Sequence, residues 1–102
     1  MTVVKLVALY KKPVDVAAFE KHYTEIHTPL ARKMPGLRRL EVCRFTGSPA
    51  GEAKYYLMAE MYFDSKEAMI AALSSPEGKA AGKDVMGFAS DVIHMMFAAV
   101  DT

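Results

Sequence analysis

The stretch Phe19–Leu37, FEKHYTEIHTPLARKMPGL, decides how the chain is organised. It opens as an amphipathic helix, meets a proline at His27-Thr28-Pro29, and stops on Pro35-Gly36. Upstream, Val3–Tyr10 (VVKLVALY) is a nearly continuous apolar run closed by Lys11-Lys12-Pro13, the pattern of a strand buried on both faces, with Lys5 as the exception. Downstream, Leu37–Phe45 (LRRLEVCRF) alternates weakly and carries polar residues on both sides, which predicts a strand towards a sheet edge.

Inside the opening stretch, Asp15 is placed to cap a helix whose apolar residues Val16, Phe19, Tyr23, Ile26 and Leu30 follow 3-4-3-4 spacing. At about 100° per residue, His27 falls roughly 60° from the centre of that stripe, and His22 roughly 80° to the other side, at the margin with solvent. Tyr23 and His27 are four residues apart and meet on one face. Pro29 removes a hydrogen bond and clashes with the carbonyl of Glu25, so a kink or restart is expected there. Thr28 as N-cap and Pro29 at the first helical position would give a short second helix to about Met34.

The remaining chain reads in the same way. Thr46–Lys54 is a loop rich in small residues, and Tyr55–Phe63 (YYLMAEMYF) is an aromatic strand. Glu60 within it is expected to face another subunit or to pair with Arg39 or Arg44 of the neighbouring strand. Asp64 or Ser65 caps a helix carrying Met69, Ile70 and Leu73; Ser74-Ser75-Pro76 breaks it. A looser helix from Glu77 to about Ala89 follows, weakened by Gly78, Gly82 and Gly87 and lid-like in character. Val92–Val100 is the last strand, with His94 aligned with Val92, Met96, Ala98 and Val100.

The order β-α-β-β-α-β over one domain, residues 1–102, predicts an α+β, ferredoxin-like architecture. Its four-stranded antiparallel sheet carries helices on one face. Strands apolar on both faces predict a second copy covering the other face, in a homodimer.

Composition narrows the function. Hydrophobic residues make up 52% of the chain and charged residues 25%, as in a globular domain. A formal net charge of +1 gives no electrostatic case for a polyanion, and the third strand lacks the glycine-containing signature on which RNA-recognition sheets stack bases. No nucleic-acid partner is therefore expected. The basic residues between Arg32 and Arg44 read as a solvated face. MTVVKLVALYKK is too short and too soon charged for a signal peptide or membrane span. The lone Cys43 excludes an intrachain disulfide, fits a reducing cytoplasm, and reads as a small apolar strand residue. Eight methionines suit either core filling or an adaptable apolar pocket.

Phosphate-binding and serine-nucleophile motifs are absent, and Asp15, Asp64, Asp84 and Asp91 are assigned to caps and turns. On a regular helix His22 and His27 lie about 140° apart, so they are not expected to share a metal. What remains is histidine acid–base chemistry in an apolar pocket. His27 is the candidate general base or acid and Tyr23 the residue that orients it, with Tyr62, His94, Met96 and Phe97 as pocket walls. The competing assignments are structural: His27 bonding a carbonyl freed by Pro29, His94 in the sheet core, His22 at the surface. No cofactor is required, although a single histidine in an apolar slot also suits an axial haem ligand.

Phe19-x3-Tyr23-x3-His27-x-Pro29-Leu30 followed by Met34-Pro35-Gly36-Leu37 resembles the first-helix signature of the EthD family, named for ethyl tert-butyl ether degradation. The segment YYLMAEMYFDSKEAMIAALSSPEG is similar to that family's third strand, helix start and Ser-Pro break. The resemblance implies a dimeric α+β barrel, two sheets packed face to face. It also implies a superfamily whose pockets host cofactor-free monooxygenases, polyketide cyclases, lactone isomerases, decarboxylases and haem enzymes. Of the site residues, it carries over only to His27, Tyr23 and Pro29. The expected function is an oxidoreductase or related enzyme, of cofactor-independent monooxygenase or cyclase type, acting on an apolar or aromatic metabolite. The alternative is a non-catalytic small-molecule or haem-binding accessory protein.

Overall fold

The computed structural model describes residues 2–101. Four strands, β1 (Val4–Tyr10), β2 (Arg39–Arg44), β3 (Leu57–Phe63) and β4 (Ile93–Ala99), form one antiparallel sheet in the order β2-β3-β1-β4. Helices α1 (Val16–His22), α2 (Thr28–Arg32), α3 (Lys66–Ser74) and α4 (Pro76–Ala89) cover one face of it. The expected α+β, ferredoxin-like arrangement is present. No helix among the described residues is long and apolar enough to cross a membrane.

Strand parity sets which residues meet the helices. Leu6, Ala8 and Tyr10 of β1 and Leu57, Ala59, Met61 and Phe63 of β3 are buried under them. Register pairs Leu6 with Phe97, Ala8 with Met95 and Tyr10 with Ile93, so these β4 residues share the helix-facing side. The opposite, open face carries Lys5, Val7, Leu9, Met58, Glu60 and Tyr62 and is half-buried in the single protomer. Glu60 pairs with Lys5 at 2.5 Å, not with Arg39 or Arg44. Arg39 lies over the Tyr62 ring, 4.3 Å from its centroid, while Arg44 is held bidentately by Glu20 of α1. Cys43, expected as a small apolar residue, is exposed on the edge strand β2.

Caps follow the sequence. The Asp15 carboxylate accepts from the N–H of Ala18, Ser65 from Ala68 and Ser75 from Gly78. Between Pro35 and β2 the chain turns at Gly36, whose φ of +80° is open to glycine at no steric cost. The expected looseness of the last helix is corrected: α4 is an unbroken 14-residue helix. Gly78 is there for contact, since a Cβ on it would lie 2.2 Å from the carbonyl oxygen of Ala72.

The expected break at Thr28 is also corrected. Thr28 is helical, with φ −59° and ψ −45°, and its side chain caps nothing. Instead the chain passes from α1 to α2 through a π turn, Tyr23–His27, in which the Thr28 N–H donates to the carbonyl of Tyr23, five residues back. The buried residues of the whole rod are Phe19, Tyr23, His27, Ala31 and Met34. Four-residue spacing drifts about 40° per step on a regular helix, and the widened turn absorbs that drift. His27 consequently takes the inward position, and Ile26, expected in the stripe, is 47% exposed.

Candidate functional site

The core has two clusters. One joins Tyr10, Phe19, Tyr23, Leu57 and Val85; the other joins Leu6, Met34, Met61, Phe63 and Met69. Where they meet, between the sheet and α4, lies a cavity of about 480 Å³. Leu6, Ala8 and Tyr10 of β1 form its floor, with Met61 beside them, and Ile93, Met95 and Phe97 of β4 form one side. Helix α4 leaves the room, because it presents Ala81 and Gly82 to the cavity, and at Gly82 nothing lies within 4 Å of where a Cβ would stand. His27 is the one histidine in a lining that is otherwise mostly apolar.

The π turn and α4 together determine how that histidine is held. His27 Nδ1 lies 3.0 Å from Asp84 Oδ2, and His22 Nε2 lies 2.8 Å from Asp84 Oδ1. On a regular helix the two imidazoles would diverge; the i→i+5 turn brings them to one side, where a single carboxylate spans both. One expectation is thereby corrected: Asp84 is no cap, for it stands in the interior of α4. His22 keeps the expected margin with solvent, its side chain 35% exposed and its ring on Phe88 at 4.3 Å between centroids. Among the described residues no group of three or more His, Cys, Asp or Glu side chains is disposed to hold a metal ion.

The ring chemistry follows from burial. Burial pushes the His27 imidazole below its ordinary value of 6.5, and the hydrogen bond to Asp84 opposes but does not outweigh this. A neutral His27 donates its Nδ1–H to Asp84, which leaves Nε2 as the basic nitrogen. The carboxylate thus selects the tautomer and orients the ring, the task sequence reasoning gave to Tyr23. Tyr23 packs instead, its ring 5.6 Å from that of His27 and stacked on Phe19. Burial pushes its phenol up to about 12, so it stays protonated at neutral pH.

Two of the four expected wall residues border the cavity: Phe97 from the helix-facing side, and Met96 although its parity is that of the open face. Tyr62 and His94 do not, because β3 and β4 turn both towards the open face. There Tyr62 packs with Arg39, and His94 pairs with Leu9 and touches Tyr55. His27 and His94 therefore lie on opposite sides of the sheet.

The family model for the EthD domain matches residues 11–91. The chain belongs to the EthD family. An EthD family protein from Bacillus halodurans, solved as a crystal structure, is 49% identical over the full length of both chains, with a TM-score of 0.93. An uncharacterized 11.0 kDa protein from the thcB-thcC intergenic region of Rhodococcus erythropolis is 34% identical, covering 96% of this chain and 95% of its own length. A dimeric ferredoxin-like protein of unknown function from Thermobifida fusca shares the fold, with a TM-score of 0.71, 19% identity, and coverage of 97% and 92%.

In this EthD chain the Phe19, Tyr23 and His27 spacing is the buried line of the helical rod. The third strand and the Ser65 helix start of the resemblance form β3 and the capped end of α3. The resemblance did not reach Asp84, although it completes the site.

Proposed function

We propose that this EthD protein is a small homodimeric enzyme that moves a proton on an apolar or aromatic metabolite. The observation that carries this reading is the His27–Asp84 hydrogen bond beside a mostly apolar cavity. A carboxylate on Nδ1 leaves Nε2 to take a proton from a phenol or an activated C–H and to return it later. An apolar cavity strengthens that exchange, since little solvent competes for the charge that develops. The oxidoreductase chemistry expected from the resemblance would start from such a deprotonated substrate, with oxygen as oxidant and no cofactor in the protein.

The dimer in this reading rests on what β4 and the open face leave uncovered. Met95, Met96 and Phe97 are 48%, 46% and 66% exposed, a contiguous apolar edge. A reducing cytoplasm suits the exposed thiol of Cys43.

The test uses a nitrobenzisoxazole, whose ring opens when a base removes one carbon-bound proton and the N–O bond breaks to give a coloured phenolate. Saturable turnover is expected, lost in His27→Ala while circular dichroism and melting remain those of a folded chain. A His27→Ala protein that turns over the probe as fast as the parent overturns the reading. Haem, with His27 as axial ligand, is the competing occupant, and a His27-dependent Soret band on haem titration would favour it.

A further inference from the structure

We infer that the cavity selects amphipathic anions, molecules with an apolar body and one carboxylate or comparably acidic group. This deepens the preceding reading and rests on its cavity being the binding site. Lys79 and Lys83 both border the cavity and stand one helical turn apart on α4, so they are neighbours on one face. Both are exposed, and neither forms an ion pair among the described residues, so both ammonium groups are available to a ligand at the cavity border. Asp84, next in sequence to Lys83, is engaged by the two histidines.

The two cations therefore border a cavity whose other walls are mostly apolar, with His27 and Tyr10 as the other polar side chains. A ligand's apolar body would lie along Leu6, Met61, Met95 and Phe97, and its charged end would meet the ammonium groups. Interaction at the border of a low-dielectric space is stronger than at an open surface. The long lysine stems also cover apolar wall, so the pair contributes contact as well as charge. The same two charges would stabilise an enolate or phenolate formed by proton loss to His27, which links recognition to the proposed chemistry.

Naphthoate and naphthol share one aromatic body and differ in charge near neutral pH, and both are followed by their own fluorescence. Naphthoate is expected to bind at least about fivefold more tightly than naphthol, a preference that salt reduces. Lys79→Gln with Lys83→Gln should abolish the preference, weakening naphthoate at least about fivefold more than naphthol. Gly82→Leu, which places a side chain on the cavity wall, should weaken both ligands. Equal affinities in the parent, or a preference that survives removal of both lysines, would overturn the inference while leaving the His27 reading intact. Failure of both ligands to bind would overturn this inference and the reading of the cavity as the binding site.

Discussion

Asp84 Oδ2 and His27 Nδ1 stand 3.0 Å apart although 57 residues separate them, and each comes from the interior of a different helical segment. The contact needs the π turn to aim the imidazole inward and an unbroken α4 to present the carboxylate. Asp84→Asn tests what the charge contributes. The amide cannot balance an imidazolium, so His27 should titrate still lower by NMR. Turnover of the proton-transfer probe should fall on the order of 10²-fold. A variant that keeps both the titration and the rate would mean that Asp84 only fills space.

Stability should carry the mark of the same histidine. Burial lowers the folded-state value of His27 beneath 6.5, while the unfolded chain keeps the ordinary one. As pH falls, the unfolded state gains its proton first. The contribution of neutral His27 is thus present above about pH 6.5 and is lost as pH drops through the lower folded value. Denaturant midpoints across about pH 5 to 8 should show this decline, and His27→Gln should flatten that component.

The order of elements was legible because strand and helix periods differ, and Pro35-Gly36, Asp64-Ser65 and Ser75-Pro76 punctuate them. The inward turn of His27 was only half legible. Phe19, Tyr23, His27 and Ala31 are spaced by four throughout, a sign of a widened turn, but a regular-helix template absorbs the mismatch by promoting Ile26. Tyr62 and His94 were misplaced because β3 and β4 carry large side chains at both parities. Only the pairing of Leu6 with Phe97 decides which parity lies under the helices. Asp84 was illegible: its partners are distant, and a lone aspartate near glycines looks like a turn residue.

Two glycines of α4 should respond oppositely to alanine. At Gly78 a Cβ would sit 2.2 Å from the Ala72 carbonyl oxygen and 2.7 Å from that of Leu73, both backbone atoms. Gly78→Ala should therefore cost about 1–3 kcal/mol or more, as α4 is pushed off α3. At Gly82 nothing lies within 4 Å, so Gly82→Ala meets no clash and should gain up to about 1 kcal/mol from helix propensity. Thermal melts of the two variants check the contrast. A stabilised Gly78→Ala would refute the close approach of the two helices.

The open face of the sheet supplies a test of the homodimer that spares the cavity. Val7 lies in the central strand β1, opposite Glu60 on one side and Met96 on the other, with its side chain away from the helices. In an isolated protomer Val7→Lys is a substitution on a half-solvated face and should shift stability by no more than about 0.5 kcal/mol. If a second copy covers that face, the same lysine is buried near Lys5 without a free acidic partner, since Glu60 is already taken. Sedimentation should then show a dimer for the parent chain and a monomer for Val7→Lys. Naphthol binding should persist in the monomer, because the cavity lies on the opposite side of the sheet. A variant that remains dimeric would place the contact elsewhere, with the exposed edge of Met95 and Phe97 as the next surface to alter.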